Sequence, residues 1–212
     1  MARFGMVIDT KKCVGCMDCV VACKTENDVP DGHCRDWITT EVRGEFPHLA
    51  MEIRSERCNH CDHPPCVTCC PTGASHVEEF GRLVQITAER CNHCDNPPCV
   101  TCCPTGASHV DEFGTMVQIT YNTCIGCKAC HASCPYDARF VHPDGYADKC
   151  TFCVHRVKEG LDPACVSVCP THCMRFGDLD DPSSPVSRLL TSRPHHALLP
   201  AAGTEPRIFY LT

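Results

Sequence analysis

No stretch of this chain holds the ~18 consecutive apolar residues that a membrane-spanning helix needs, so the sequence excludes a transmembrane protein. Aromatic residues are scarce: 8 Phe, 4 Tyr and 1 Trp in 212 residues offer little to fill a core. No basic run exceeds Lys11-Lys12, and 19 Lys and Arg stand against 26 Asp and Glu, a net charge of -7. A nucleic-acid partner requires the opposite sign. The first nine residues show neither a charged-then-apolar leader nor a twin-arginine pair, so the expectation is that a partner arranges any export. Serine-histidine-aspartate patterns, phosphate-cradling glycine loops and open metal sites are missing as well. Bond-making chemistry on this chain is therefore not expected.

What the chain has is cysteine, 24 residues of it, with 17 Pro and 13 Gly that interrupt regular structure. Without cysteine the apolar share drops well below the 43% of the whole, too little for folding on hydrophobic burial alone. Disulfides, zinc or iron-sulfur clusters are the candidate substitutes for a core. Spacing separates them. The blocks are Cys13-x2-Cys16-x2-Cys19-x3-Cys23; Cys58-x2-Cys61-x4-Cys66-x3-Cys70-Pro71; Cys91-x2-Cys94-x4-Cys99-x3-Cys103-Pro104; Cys124-x2-Cys127-x2-Cys130-x3-Cys134-Pro135; and Cys150-x2-Cys153-x11-Cys165-x3-Cys169-Pro170. Cys34, Cys69, Cys102 and Cys173 stand outside them.

A three-cysteine loop with short gaps turns successive sulfurs toward different irons of one cubane, and the cysteine before proline reaches a second cubane. Such blocks work in facing pairs. Zinc knuckles use two separate Cys-x2-Cys units instead, and cysteines three apart on a tight turn make poor disulfides. Gly15 and Gly126 fall inside the loops, where the backbone must lie close to inorganic sulfide; a side chain there is expected to fit badly. His60 and His93 lie in tight cysteine loops and are read as packing or hydrogen-bonding groups. Tyr136, Arg139, Phe152 and Arg156 flank the ligands as candidate fillers between clusters.

Arg57 to Thr87 repeats as Arg90 to Thr120 with four differences: His63/Asn96, Glu78/Asp111, Arg82/Thr115 and Leu83/Met116. The repeat duplicates one half-ferredoxin module. Strands are expected at Phe4 to Ile8, Met51 to Arg54, Leu83 to Ile86, Met116 to Ile119 and Arg207 to Leu211, and short helices after Cys19, near Cys165 to Cys169, and at Val186 to Ser192. Thr25 to Ala50 reads as an irregular surface connection. The Pro-rich segment after Cys173 reads as a tail along the body or a partner.

The sequence resembles the four-cluster, ferredoxin-like electron-transfer subunits of molybdopterin oxidoreductases, of the polysulfide, thiosulfate and dimethyl sulfoxide reductase type. The resemblance rests on Met6-Val7-Ile8-Asp9 before Cys13-Val14-Gly15-Cys16, on Asn96-Pro97-Pro98-Cys99, on Cys134-Pro135-Tyr136-Asp137-Ala138-Arg139, on Lys149-Cys150-Thr151-Phe152-Cys153, and on Gly177-Asp178-Leu179. It implies an α+β fold of tandem bacterial-ferredoxin-like modules, low in regular structure and held by its clusters. It implies one domain from residues 1–30 and 145–177, a second from 51–144 with the duplicated module, a connecting segment 31–50 and a C-terminal extension 178–212.

The resemblance further implies four [4Fe-4S] clusters: one on Cys13, Cys16, Cys19 and Cys169; one on Cys23, Cys150, Cys153 and Cys165; one on Cys91, Cys94, Cys99 and Cys134; and one on Cys103, Cys124, Cys127 and Cys130. The later copy of the duplicated module is preferred here because it keeps the family's distance to Cys124. Cys58, Cys61, Cys66 and Cys70 remain as a spare module: a fifth cluster, free thiols, a zinc site, or the alternative to the 91–103 block. The implied role is to relay electrons between a molybdopterin catalytic subunit and a membrane quinone-reactive anchor in an anaerobic respiratory reductase. The alternatives are a freestanding polyferredoxin, or the same subunit serving a formate dehydrogenase or another molybdoenzyme. The implied place is the membrane surface, reached through partners by co-export to the periplasmic face, with the cytoplasmic face as the alternative.

Overall fold

The structure, a computed structural model, describes residues 2–69, 75–77, 84–86, 108–110, 117–119, 127–128, 132 and 134–212. Its centre is a four-stranded sheet built from the two ends of the chain. β1 (Phe4–Asp9) runs between β10 (Met174–Asp178), antiparallel to it, and β12 (Ile208–Leu211), parallel to it; β11 (His195–His196) pairs on the far side of β12. β1 is buried on both faces, as a central strand covered on both sides must be.

Alternation along these strands divides the core in two. Val7 and Leu211 face a small cluster with Val186, Leu189 and Leu190 of α5 (Pro185–Ser192). Met6, Ile8, Met174, Ile208 and Tyr210 face the other way, onto Cys19, Cys58, Cys150, Cys165, Cys169, Cys173 and Phe152. Met6, Ile8, Met174 and Ile208 each contribute about 1.5–3 kcal/mol by leaving water. α5 starts at Pro185, its N-cap Ser184 accepting the N–H of Ser187 at 3.2 Å, an arrangement suited to a helix start. The segment after Cys173, expected as a tail with a helix at Val186 to Ser192 and a strand at Arg207 to Leu211, supplies three strands of the main sheet and a helix that covers one face of it.

The region expected as an irregular connection is also regular. β2 (Asp36–Glu45) and β3 (His48–Arg57) form a ten-residue antiparallel hairpin closed by Phe46-Pro47, in register from Asp36↔Arg57 to Glu45↔His48. One face carries Glu41, Arg43, Glu52, Arg54 and Glu56, tied by ion pairs such as Arg54 Nη1 to Glu41 Oε2 at 2.8 Å. Ile38 and Ile53, on the other face, approach the loop at Gly15. The alternation of Ile38, Thr40 and Val42 with Thr39, Glu41 and Arg43 is the signal that marks this strand.

The remaining elements are short, giving an α+β fold with little regular structure. α1 (Asp18–Glu26) follows the first cysteine loop and packs on α4 (Ala164–Ser167); α2 is Pro65–Thr68 and α3 is Val154–Lys158. β4 (Ser75–Val77) pairs with β5 (Val84–Ile86), and β6 (Ser108–Val110) with β7 (Val117–Ile119), in the same register 33 residues further on. β8 (Phe140–Val141) and β9 (Ala147–Asp148) make a last hairpin, which brings Asp148 within 2.9 Å of Arg35.

Candidate metal centre

A small cavity lies where the first cysteine loop meets the turn between α4 and β10. Cys13, Cys16, Cys19, Cys169 and Cys173 line it, with Ile38 and Met174. The loop is shaped for thiolates. Gly15 has φ +69° and directs its N–H to the Cys13 sulfur. A Cβ at Gly15 would meet Ile53 Cγ2 at 3.4 Å, an ordinary contact, so the left-handed backbone and not lack of space calls for glycine. Hydrogen bonding from the Cys173 thiol holds Cys13 down at about 6. Burial raises Cys19, whose sulfur also accepts the N–H of Val20 and lies 3.6 Å from Ser55 Oγ. For Cys169 burial acts upward, but hydrogen bonds from Thr171, from the Cys173 thiol and from the N–H groups of Cys173 and Met174 outweigh it and lower the thiol.

Four more thiols gather behind α1. Cys19 and Cys23 lie four residues apart on one face of that helix, so Cys19 joins the cavity while Cys23 meets Cys150, Cys153 and Cys165. All four of these are buried. Burial, then mutual charge, pushes Cys23 and Cys150 well up, and burial takes Cys165 to about 11. Arg57, with a side chain 0% exposed, donates from Nη1 to Cys165 Sγ at 2.9 Å and lies 3.5 Å from Asp36 Oδ2. Asn27 Nδ2 donates to Cys153 Sγ at 3.6 Å, and Phe152 N–H to Cys150 Sγ at 3.4 Å.

A third gathering joins the first copy of the duplicated module to Cys134. Cys58, Cys61 and Cys66 are buried, and Cys61 is pushed to about 12, first by burial and then by the charges of Cys58, Cys66 and Cys134. Arg139 Nη2 donates to Cys66 Sγ at 2.8 Å. Lys149 is 1% exposed; burial lowers its ammonium against the pull of Cys58 and Cys150, and its Nζ donates to the Cys150 carbonyl at 2.9 Å. The module is fastened by Asp62, which accepts from Arg3 Nε at 2.9 Å and Arg207 Nε at 2.8 Å, and by the Arg207 N–H on the Asn59 carbonyl. Cys70, Cys91, Cys94, Cys99, Cys103, Cys124 and Cys130 lie outside the described residues, and Cys127 is exposed.

These surroundings fit a polynuclear cluster. Buried thiols that raise one another's pKa require a positive core to become thiolates, and N–H donors plus buried Arg57, Arg139 and Lys149 offset the charge that remains. Among the described residues no cysteine is in a disulfide, and no three Cys, His, Asp or Glu side chains are grouped to hold a single metal ion. His60 is buried, and burial with the nearby charges of Lys149 and Arg207 keeps its imidazole neutral; it stacks on Phe152. Of the expected fillers, Arg139 and Phe152 stand among the thiols, Tyr136 bonds Thr204 at 2.6 Å, and Arg156 pairs with Glu26 nearer the surface. Arg57 and Lys149 were not anticipated. Their signal is position: a basic residue precedes the opening cysteine in Lys12-Cys13, Arg57-Cys58, Arg90-Cys91 and Lys149-Cys150.

A family model described as a 4Fe-4S dicluster domain matches residues 82–179. The iron-sulfur subunit of an arsenate respiratory reductase from Shewanella sp. (strain ANA-3) is 40% identical over 259 residues, covering 99% of this chain and 96% of that protein. A tetrathionate reductase subunit of Salmonella typhimurium is 36% identical over 214 residues, covering 99% and 72%. A component of the polysulfide reductase of Wolinella succinogenes is 34% identical over 211 residues, covering 98% and 93%.

Proposed function

Because the chain belongs to the iron-sulfur electron-transfer subunits of respiratory reductases, we propose that it relays electrons between a molybdopterin catalytic subunit and a membrane quinone-reactive anchor. It is a non-catalytic part of an oxidoreductase. No helix among the described residues is long and apolar enough to cross a membrane, and attachment through the anchor, at the periplasmic face, accounts for its place.

Bound [4Fe-4S] clusters supply one-electron redox chemistry. Cys13, Cys16, Cys19 and Cys169 hold the first; Cys23, Cys150, Cys153 and Cys165 hold the second. Cys58, Cys61, Cys66 and Cys134 hold the third, and Cys124, Cys127 and Cys130 with Cys70 the fourth. This gives the resident role to the first copy of the duplicated module, in place of the later copy that spacing alone prefers. The reason is covalent: β3 leads straight into Arg57 and Cys58, so burying Arg57 beside Cys165 carries Cys58 to Cys61 into the body. Cys16 is exposed beside exposed Val14 and Met17, which brings the first centre to the surface where a partner's cofactor can approach.

The observation that carries this reading is the division of α1 between two thiol groups, buried Cys19 serving one and buried Cys23 the other. Iron and acid-labile sulfide per chain test it. About sixteen of each is expected for four cubanes, about twenty would demand a fifth, and a colourless protein would end the proposal.

A further inference from the structure

Five thiols surround the first cavity, one more than a cubane has irons. The fifth, Cys173, belongs to none of the cysteine blocks, yet it is 4% exposed and opens onto the same volume as Cys13, Cys16, Cys19 and Cys169. Its sulfur lies 3.4 Å from the Cys169 sulfur, and it shares the cavity wall with Cys13. Local backbone fixes that position. After Cys169 the chain turns back on itself, the His172 N–H donating to the Cys169 carbonyl at 3.1 Å and His172 adopting φ +50°. Cys173 is thereby set over Cys169 just before β10 begins. Cys34 and Cys69, the other described cysteines outside the proposed ligand sets, are exposed or half-buried and stand away from this cavity.

We propose that Cys173 is a reserve ligand of the first centre, placed to take over the iron corner held by Cys169. The inference rests on the reading above that this cavity holds a [4Fe-4S] cluster. The exchange leaves the iron oxidation state unchanged: the Cys173 thiol gives up its proton as it forms an iron-sulfur bond, and the Cys169 sulfur accepts a proton as its own bond breaks. A thiol kept only as a small apolar filler has no such consequence.

The test compares the wild-type chain with Cys169→Ala, Cys173→Ala and the double variant by iron content and by electron paramagnetic resonance of the reduced protein. Alanine is used because a serine oxygen can itself bind iron. Cys169→Ala should keep its full iron and the first centre's signal, altered in shape, and the double variant should lose that signal while the Cys23, Cys150, Cys153 and Cys165 centre persists. Loss of the first centre in Cys169→Ala as complete as in the double variant overturns the proposal. A wild-type chain with no centre at this cavity sinks the parent reading instead. Should Cys169→Ala fail to fold, stripping by a chelator decides: Cys173→Ala should lose the first centre several-fold faster than wild type, and equal rates refute the reserve role.

Discussion

The imidazole of His60 lies flat on the phenyl ring of Phe152, ring centroids 3.9 Å apart and planes 24° apart. Each ring stands at the same place in its own Cys-x-x-Cys loop, Cys58 to Cys61 and Cys150 to Cys153, and each residue has a left-handed backbone, φ 44° and 53°. Two cysteine loops from distant parts of the chain thus meet through matching side chains. The stacked pair forms a shared wall between the second and third thiol groups.

Removing that wall should loosen both groups at once. Phe152→Ala is expected to cost about 3–5 kcal/mol, as large buried aromatic truncations do, and Phe152→Leu much less. Denaturant melts measure the loss, and iron retained after gel filtration should fall in the alanine variant and hold in the leucine variant.

Arg57 should set the potential of the centre on Cys23, Cys150, Cys153 and Cys165. A buried cation against Cys165 favours the reduced, more negative state, so Arg57→Gln is expected to lower the midpoint by on the order of 100 mV. Arg57→Lys keeps the charge, loses the fork that also reaches Asp36, and should shift it less. A redox titration followed by paramagnetic resonance reads both.

Asp62→Asn should cost about 3 kcal/mol, because it leaves Arg207, 1% exposed, buried without its counter-charge. Burial alone would raise the Asp62 carboxyl, but the hydrogen bond from Arg3 and the charge of Arg207 hold it below the ordinary value. A lowered carboxylate stabilises the fold fully above its unfolded pKa of about 3.9 and progressively less as pH falls through the folded value. The stability gap between wild type and variant should therefore stay level from pH 7 to about 5 and narrow below about 4, as melts across that range will show.

The two copies of the duplicated module should respond differently to the same change. Cys61→Ala is expected to remove about four irons per chain, and the matching Cys94→Ala to leave the count unchanged. Equal losses from both would assign a cluster to each copy.

Spacing in the sequence marks out each cysteine block, because the short gaps suit the cubane, whereas which blocks share a cluster is only what the resemblance implies. Spacing ranks the two copies, which differ at His63/Asn96 and three other positions, only by their distance to Cys124, and carries nothing of the strand each one follows. Met51 to Arg54 was legible as part of β3, but β2 was read as an irregular connection although Ile38, Thr40 and Val42 alternate, because glycine, proline and charge around Phe46-Pro47 resemble a loop. β12 was legible as a strand but not as a neighbour of β1, a pairing set by tertiary contact over 200 residues of chain. Arg57 and Lys149 escaped notice because basic residues are ordinarily solvated. Burying them is favourable only beside thiols that carry negative charge.

The parallel pairing of β1 with β12 has a consequence for biosynthesis. Cys13, Cys16 and Cys19 leave the ribosome about 150 residues before Cys169, and β12, which pairs with β1, follows later still. At roughly 5–20 residues per second the early thiols wait on the order of ten seconds or more in an open chain. Stable iron binding at these thiols then waits for the downstream strands, and a nascent chain stalled before residue 208 should accept no stable metal there.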